Sequence, residues 1–124
     1  MEPKTSLSIK DRIRINGIEA LSDAITGQLR NDVFQTLNRK GGIVGISGGI
    51  DSAVTLALAA KALAAENVVG LMLPERDSSP DSLRLAQELA RKLGVRTITE
   101  DLTAALEGLG CYRPRDEGIA RSGA

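Results

Sequence analysis

The apolar positions of the chain alternate between helix-like and strand-like spacing. Over residues 18–37 they recur every three or four positions, which predicts an amphipathic helix of about six turns. Asn16 and Glu19 have the spacing of a capping box at the start of this helix, and the Gly41-Gly42 pair follows its end. A long amphipathic helix therefore precedes the other predicted elements.

Short apolar runs rich in β-branched residues predict three strands, at residues 42–46, 68–73 and 95–99. A helical segment follows each strand. The first, residues 53–64, is apolar on most sides, which indicates a helix buried between other elements. The second has Ser79 as its N-cap and Pro80 at its first position, and it runs to Leu93. The third is a short helix capped by Asp101.

The repeated strand–helix order predicts the fold class. It is typical of an α/β domain in which a parallel sheet, joined by right-handed crossovers, carries helices on both faces. Three strands are few for such a sheet, so we expect it to be truncated after its third strand. Residues 111–124 form a poorly patterned tail whose arginines we expect to be solvated.

The sequence GISGGIDS, at residues 45–52, lies where the first predicted strand gives way to a helix. Ligands of open parallel sheets bind beyond the carboxyl ends of the strands. Gly48 and Gly49 can adopt positive φ and bring backbone amides close to a ligand, while Ser47 and Ser52 offer hydroxyl donors. Together with the positive end of the following helix, these groups predict a phosphate-binding seat.

An acidic residue inside this loop indicates that a cation accompanies the phosphate. Asp51 would repel a phosphate unless a cation lies between them, and Mg²⁺ resolves that conflict. The alternative, a tight strand-to-helix turn without a ligand, leaves Asp51 and the paired glycines unexplained. The loop is not a Walker A motif, since no Gly-Lys-Ser/Thr follows, and it does not fit the GxGxxG fingerprint of dinucleotide-binding folds.

Composition excludes several classes of chemistry. The chain has no histidine, which removes imidazole general bases and histidine metal ligands. Its 16 basic and 16 acidic side chains cancel and only 2% of its residues are aromatic, which together argue against nucleic-acid binding. Cys111 is the single cysteine, expected to be structural or incidental. The absence of a long apolar run or signal-peptide core predicts a cytoplasmic protein without a membrane partner.

The SGGIDS segment resembles the SGGxDS loop of the N-type ATP pyrophosphatases, which cleave ATP between its α- and β-phosphates. Two further segments, LMLPERDSSPDSLRLAQELARKLGV and DLTAAL, resemble the NAD synthases of that superfamily, and the likeness extends over residues 12–117. It implies an adenine nucleotide alpha-hydrolase-like, Rossmann-like fold. Because NAD synthases are substantially longer, it also implies that residues 1–124 are the N-terminal part of such a domain.

The reaction implied by this resemblance is an ATP-dependent amide synthesis. The carboxylate of deamido-NAD attacks the α-phosphorus of ATP, pyrophosphate leaves, and ammonia then displaces AMP to give the amide. Electrostatic stabilisation of the departing pyrophosphate needs no proton-transfer residue, so no catalytic side chain is assigned. The resemblance implies that Asp51 binds Mg²⁺ and that eight residues bind ATP: Gly45, Ile46, Ser47, Gly48, Gly49, Ile50, Asp51 and Ser52.

The segment after the second predicted strand lies at the same edge of the sheet as this loop. Arg76 there either contacts ATP or forms an ion pair with Glu75 or Asp77. Ser78 and Ser79 are expected to be turn and cap residues rather than ligands. Three residues end the strand and either border the adenine or pack in the core: Leu71, Met72 and Leu73.

Two other functions remain open at this point. Another ATP pyrophosphatase, such as a GMP synthetase or a tRNA-modifying enzyme, would share the SGGxDS loop. A truncated nucleotide-binding module would bind ATP without turnover. The resemblance also suggests a homodimer interface on the first predicted helix, although that helix would equally pack on its own sheet. The nitrogen donor is either free ammonia or glutamine supplied through a partner.

Overall fold

A computed structural model of the chain describes residues 8–122. Its α-helices are Ile9–Ile13 (α1), Ile18–Asn31 (α2), Ile50–Leu63 (α3), Pro80–Leu93 (α4), Thr103–Gly108 (α5) and Tyr112–Arg121 (α6). Its strands are Gly42–Gly45 (β1), Val68–Met72 (β2) and Arg96–Thr99 (β3). A π-helical turn, Asp32–Thr36, extends α2, and a 3₁₀ turn, Ala65–Asn67, leads into β2. Within these residues no helix combines the length and the apolar character needed to cross a membrane.

The three strands form one parallel sheet in the order β1-β2-β3. Gly42 of β1 pairs with Val68 of β2, and Val69 of β2 pairs with Arg96 of β3. Each strand is one residue shorter than the range predicted from its apolar run. The predicted α/β class with a parallel sheet is therefore confirmed.

Both crossover helices lie on one face of this sheet. Helix α3 contacts β1 and β2, α4 contacts β2 and β3, and the two helices contact each other. Strands that pair in chain order through right-handed crossovers put successive helices on the same side. The opposite face carries Ile43 and Ile98 as exposed side chains. Residues 8–122 thus cover one face of the sheet, not both as predicted.

The core lies between the sheet and these two helices. Leu56 of α3 and two β2 residues, Val68 and Met72, are the largest fully buried side chains. Ala86 and Ala90 present only methyl groups from α4, which lets this helix approach the sheet closely. The core therefore fixes the positions of α3 and α4 relative to the carboxyl ends of β1 and β2.

Helix α2 forms an outer layer on α3, and its ends differ from the prediction. The capping box at Asn16 and Glu19 is wrong, because the N-cap is Gly17, which has a left-handed φ of +68° and makes no side-chain cap. An N-cap residue normally has extended backbone angles, so the left-handed Gly17 is an unusual start for a helix. The α-helix also ends at Asn31, where the π-helical turn takes over.

A capping box that the sequence analysis missed precedes α1. The Ser8 hydroxyl accepts the Asp11 N–H at 3.2 Å, and the Asp11 carboxylate accepts the Ser8 N–H at the same distance. Aspartate takes the place that glutamate or glutamine usually occupies in this motif. The capping signal therefore belongs to α1 and not to α2.

The signals predicted for α4 are confirmed. Ser79 is its N-cap and Pro80 its first residue, although the Ser79 side chain makes no capping hydrogen bond. At the other end Gly94 has a φ of +71°, and its N–H bonds to the carbonyls of Ala90 and Arg91. A left-handed glycine is the usual way to end a helix. Helix α4 therefore starts beside the loop that follows β2.

The segment 111–124, expected to be a poorly patterned tail, contains α6. Pro114 lies in the first turn of this helix, where a missing N–H costs no intrahelical bond. Arg113 and Glu117 form an ion pair one turn apart, at 3.3 Å. The N-cap of the preceding helix α5 is Leu102 and not Asp101 as predicted, although the Asp101 carboxylate accepts the Thr103 N–H at 2.8 Å and its pKa is lowered by its bonds to that residue.

Candidate functional site

The SGGIDS loop lies between the carboxyl end of β1 and the start of α3. The Ile46 N–H donates to the carbonyl of Leu71 at 2.9 Å, so the pairing of β1 with β2 continues to the edge of the loop. Ile46 itself is buried and points into the core, whereas Ser47 and Gly49 are exposed. The buried strand thus delivers the polar loop residues to the surface at the ligand-binding edge of the sheet.

Two hydroxyls hold the loop together. Ser52 Oγ accepts the Ser47 N–H at 3.1 Å and donates to the Gly49 carbonyl at 3.2 Å. Ser47 Oγ accepts the Gly49 N–H at 3.3 Å, and the two hydroxyl oxygens are 3.2 Å apart. Ser47 and Ser52 were expected to be ligand donors. In this structure both hydroxyls are engaged within the loop, where they fix its shape.

The two central glycines adopt different backbone conformations. Gly48 has a φ of +84°, and a Cβ added there would lie 2.4 Å from the carbonyl oxygen of Ser82 in the first turn of α4. Gly49, by contrast, has a φ of −83° and is the N-cap of α3, a position that requires extended backbone angles. The expectation of positive φ is therefore confirmed for Gly48 and wrong for Gly49.

The start of α3 carries the acidic residue of the motif. Asp51 is exposed in the first helical turn, next to the N-terminal amides that have no partner within the helix. In the described part of the chain, no group of three or more acidic or cysteine side chains is placed to hold a metal ion. Any cation at Asp51 would therefore take most of its ligands from elsewhere.

A cleft of about 280 Å³ opens beside this loop, between β2 and the start of α4. Its floor is apolar and its rim carries serine hydroxyls. The three strand-end residues considered for the adenine border it, together with the beginning of the GISGGIDS loop. The lining residues are Gly45, Ile46, Ser47, Leu71, Met72, Leu73, Pro74, Ser78, Ser79, Ser82, Leu83 and Ala86.

Arg76 lies apart from the lining of this cleft. Its guanidinium is 3.4 Å from the Asp77 carboxylate and 3.2 Å from that of Asp116 on α6. It also stacks on the ring of Tyr112, 4.0 Å from the centroid. The ion pair considered for Arg76 is therefore present, with Asp77, while its contact with ATP stays a prediction. The Glu75 carboxylate instead accepts the Tyr112 hydroxyl at 2.8 Å.

Helix α6 supplies residues that the sequence analysis missed. Tyr112 is only 6% exposed, and the Arg115 guanidinium lies 5.0 Å from its ring centroid. Arg115 also pairs with Asp77 and Asp116, so this arginine stays exposed, as expected of the tail, but is held in ion pairs that were not predicted. The sequence signal for this helix was a proline, Pro114, two positions after Tyr112 and followed by charged residues of both signs, which is compatible with a helix start.

The charged side chains of this cluster shift the pKa values of their neighbours. Hydrogen bonds from Arg115 and then from Arg76 hold the pKa of Asp77 and of Asp116 below the usual range. Desolvation and the hydrogen bond to the Glu75 carboxylate raise the pKa of the Tyr112 phenol. The two aspartates are thus ionised and the phenol is protonated at neutral pH.

Comparison with known proteins adds an independent observation. The family model described as NAD synthase matches residues 19–117. The NH(3)-dependent NAD(+) synthetase of Mesorhizobium japonicum is 48% identical over 97 residues, which cover 78% of this chain and 30% of that protein. The chain therefore spans less than a third of the length of this curated relative.

Two solved structures share the fold. One is the glutamine-dependent NAD+ synthetase from Acinetobacter baumannii in complex with ADP, with a TM-score of 0.70 and 30% identity over 77% of this chain and 18% of that one. The other is the NMN synthetase from Francisella tularensis, with a TM-score of 0.69 and 26% identity over 78% of this chain and 40% of that one.

Proposed function

Because the chain belongs to the NAD synthase family, we propose that it is the ATP-binding portion of an ATP-dependent amide ligase. The observation that carries this proposal is the SGGIDS loop, which lies at the carboxyl end of β1 beside the serine-rimmed cleft. The family match over residues 19–117 disfavours the alternatives of a GMP synthetase or a tRNA-modifying enzyme. The ADP named in the related synthetase structure supports an adenine nucleotide as the ligand.

In the proposed complex the phosphates of ATP lie on residues 45–52. The positive φ of Gly48 and the free amides of the first turn of α3 favour an anion at this place. The adenosine lies in the neighbouring cleft, whose apolar floor includes Leu71 and Met72. Apolar clefts with a few polar groups on the rim are typical of small-molecule sites.

Mg²⁺ is the cation proposed for this site. Mg²⁺ keeps several waters and is usually held by one or two carboxylates together with substrate phosphates, so a single exposed carboxylate such as Asp51 fits its needs. When bound, the ion supplies positive charge that offsets the phosphates. The role of Asp51 itself is to hold that charge at the N-terminus of α3, where a bare carboxylate would otherwise repel ATP.

The proposed reaction joins an ammonia nitrogen to the nicotinate carboxyl of deamido-NAD. A carboxylate oxygen attacks the α-phosphorus and pyrophosphate leaves; ammonia then attacks the acyl carbon, AMP leaves and one proton is lost. Backbone amides of residues 45–52 stabilise the charge on the departing pyrophosphate. Since the chain spans 30% of the curated relative's length, this complete reaction is proposed for a protein of full family length.

We propose a homodimer and a cytoplasmic location as well. Three apolar side chains on α2 remain exposed, with Ile18, Leu21 and Ile25 at 63%, 41% and 42%. An exposed apolar stripe on a helix favours association with a second copy. The single cysteine, Cys111, is free, which suits a reducing compartment.

Calorimetric titration with a non-hydrolysable ATP analogue and Mg²⁺ tests the proposed role of Asp51. We expect Asp51→Ala to weaken binding about tenfold, because a hydrogen-bonded charge contributes on the order of 1.5 kcal/mol. Asp81→Ala is the matched control, since Asp81 is an exposed acid in the first turn of α4 that pairs with Arg84, at 3.8 Å. Equal affinities for the wild type and Asp51→Ala would show that Asp51 does not hold the cation.

A further inference from the structure

The segment between β2 and α4 forms one wall of the cleft through Pro74, Ser78 and Ser79. This segment is folded on itself. The Glu75 N–H donates to Ser78 Oγ at 2.8 Å, and the Ser78 N–H donates back to the Glu75 carbonyl at 2.9 Å. The Asp77 N–H donates to the Glu75 carboxylate at 3.1 Å. Glu75 is therefore the residue around which the wall is organised.

Tyr112 of α6 is joined to this segment by two hydrogen bonds, both made by its hydroxyl group. The phenol donates to Glu75 Oε2 at 2.8 Å and accepts the Arg76 N–H at 3.3 Å. Every other described residue of α6 is exposed, whereas Tyr112 is 6% exposed. The contact of α6 with the rest of the molecule is thus concentrated on the residue that holds the wall.

Charged side chains around the ring reinforce this contact. The guanidinium groups of Arg76 and Arg115 lie over the ring of Tyr112, 4.0 and 5.0 Å from its centroid. Both arginines pair with Asp77 of the segment and with Asp116 of α6. An arginine of the segment thus pairs with an aspartate of the helix, and an arginine of the helix pairs with an aspartate of the segment. Such a network holds the two elements together better than isolated surface ion pairs would.

We propose that Tyr112 is a positioning residue for nucleotide binding: acting through Glu75 and the backbone of Arg76, it holds residues 74–79 in the shape that forms the wall of the cleft. This inference rests on the proposed function, since it assumes that the cleft takes the adenosine part of ATP. Tyr112 does not line the cleft, so its effect on a ligand is indirect. The phosphate seat at residues 45–52 is a separate segment, and in the described part of the chain it makes no hydrogen bond to residues 74–79.

Two ligands distinguish this role from a general loss of structure. Tyr112→Phe keeps the ring and both cation contacts but loses the hydroxyl, so we expect it to fold. It should weaken calorimetric binding of ATP roughly fivefold, from the net contribution of a hydrogen bond, and leave the affinity for inorganic pyrophosphate unchanged. Arg113→Ala is the matched control, because Arg113 pairs with Glu117 within α6. It should change neither affinity.

Limited digestion with trypsin, in the absence of a nucleotide, measures how readily residues 74–79 leave their folded conformation. Arg76 is a tryptic site inside the segment, and neither variant adds a site there. We expect faster cleavage after Arg76 in Tyr112→Phe than in the wild type or in Arg113→Ala, quantified by mass spectrometry.

Each outcome decides the proposal. Weaker ATP binding with unchanged pyrophosphate binding and faster cleavage in Tyr112→Phe supports it. Unchanged ATP affinity or unchanged cleavage overturns it, as does an equal loss of both ligands, which indicates a global effect. A wild-type chain that is folded but binds neither ATP nor pyrophosphate contradicts the proposed function, and the positioning role falls with it.

Discussion

At the scale of single residues, Gly48 is the position where sequence, conformation and packing agree most closely. Its φ of +84° favours glycine, and its Cα faces the Ser82 carbonyl so closely that a Cβ would lie 2.4 Å away. The phosphate loop therefore packs directly on the first turn of α4. Gly48 joins two elements that bound the candidate site, and it does so through backbone alone.

Replacing Gly48 by alanine should destabilise the fold. We expect Gly48→Ala to lower the free energy of unfolding by about 1–3 kcal/mol, because the substitution adds both an unfavourable φ and a close contact with backbone. Urea denaturation followed by circular dichroism measures the change. Gly45→Ala is the control from the same loop, since nothing lies within 4 Å of a Cβ built there. Equal losses in the two variants would contradict the role given to the Ser82 contact.

At the scale of elements, apolar periodicity predicted the strands and helices that are buried in the core. It missed the helix that is held in place by polar contacts. The three strands and α4 follow from apolar spacing, Pro80 and Gly94, because those signals act within a few residues. Helix α6 was missed because its one buried side chain, Tyr112, is held by residues far away in sequence. Arg76 was left between two roles for the same reason, since its partner Asp116 lies 40 residues later.

Acid should release the segment 74–79 from α6. Asp77 and Asp116 have pKa values lowered below 3.8, chiefly by hydrogen bonds from Arg115. Their stabilising contribution is therefore complete above pH 3.8 and is lost as the pH falls through the lowered values.

Tyrosine fluorescence reports this release directly, because Tyr112 is the only tyrosine and the chain has no tryptophan. We expect a change in emission below pH 3.8, and in Arg115→Gln we expect its midpoint to move to higher pH. Removing the Arg115 guanidinium takes away the largest of the contributions that lower both carboxyl pKa values, and that of Arg76 remains. Identical midpoints for the two proteins would show that Arg115 does not set the acid stability of the contact.

At the scale of the whole molecule, many large apolar side chains of the described residues remain exposed, and two groups of them lie on the sheet and on α2. One is the face of the sheet that carries Ile43 and Ile98, opposite α3 and α4. The other is the stripe on α2 formed by Ile18, Leu21 and Ile25. Sequence patterning predicted that α2 is amphipathic. It did not separate the side that packs on α3 from the side left exposed, because both sides contain apolar residues.

The exposed stripe on α2 should mediate self-association. We expect Leu21→Lys to shift the chain toward the monomer in sedimentation velocity, since burying a lysine in an apolar interface is costly. Leu85→Lys on α4 is the control, because Leu85 is 46% exposed and lies outside the stripe. A wild-type chain that is monomeric at every concentration, or equal behaviour of the two variants, would contradict the proposed dimer.

The central claim is that residues 45–52 and the adjoining cleft bind the phosphates and the adenosine of ATP. An NMR titration of the isotopically labelled chain with the ATP analogue and Mg²⁺ tests it residue by residue. We predict that the largest amide shifts fall in residues 45–52, with a second group in the cleft lining at residues 71–74, 78, 79, 82, 83 and 86. Shifts centred elsewhere, for example around the ion pair between Lys61 of α3 and Asp23 of α2, would contradict this claim. A folded chain that shows no saturable shifts would contradict it as well.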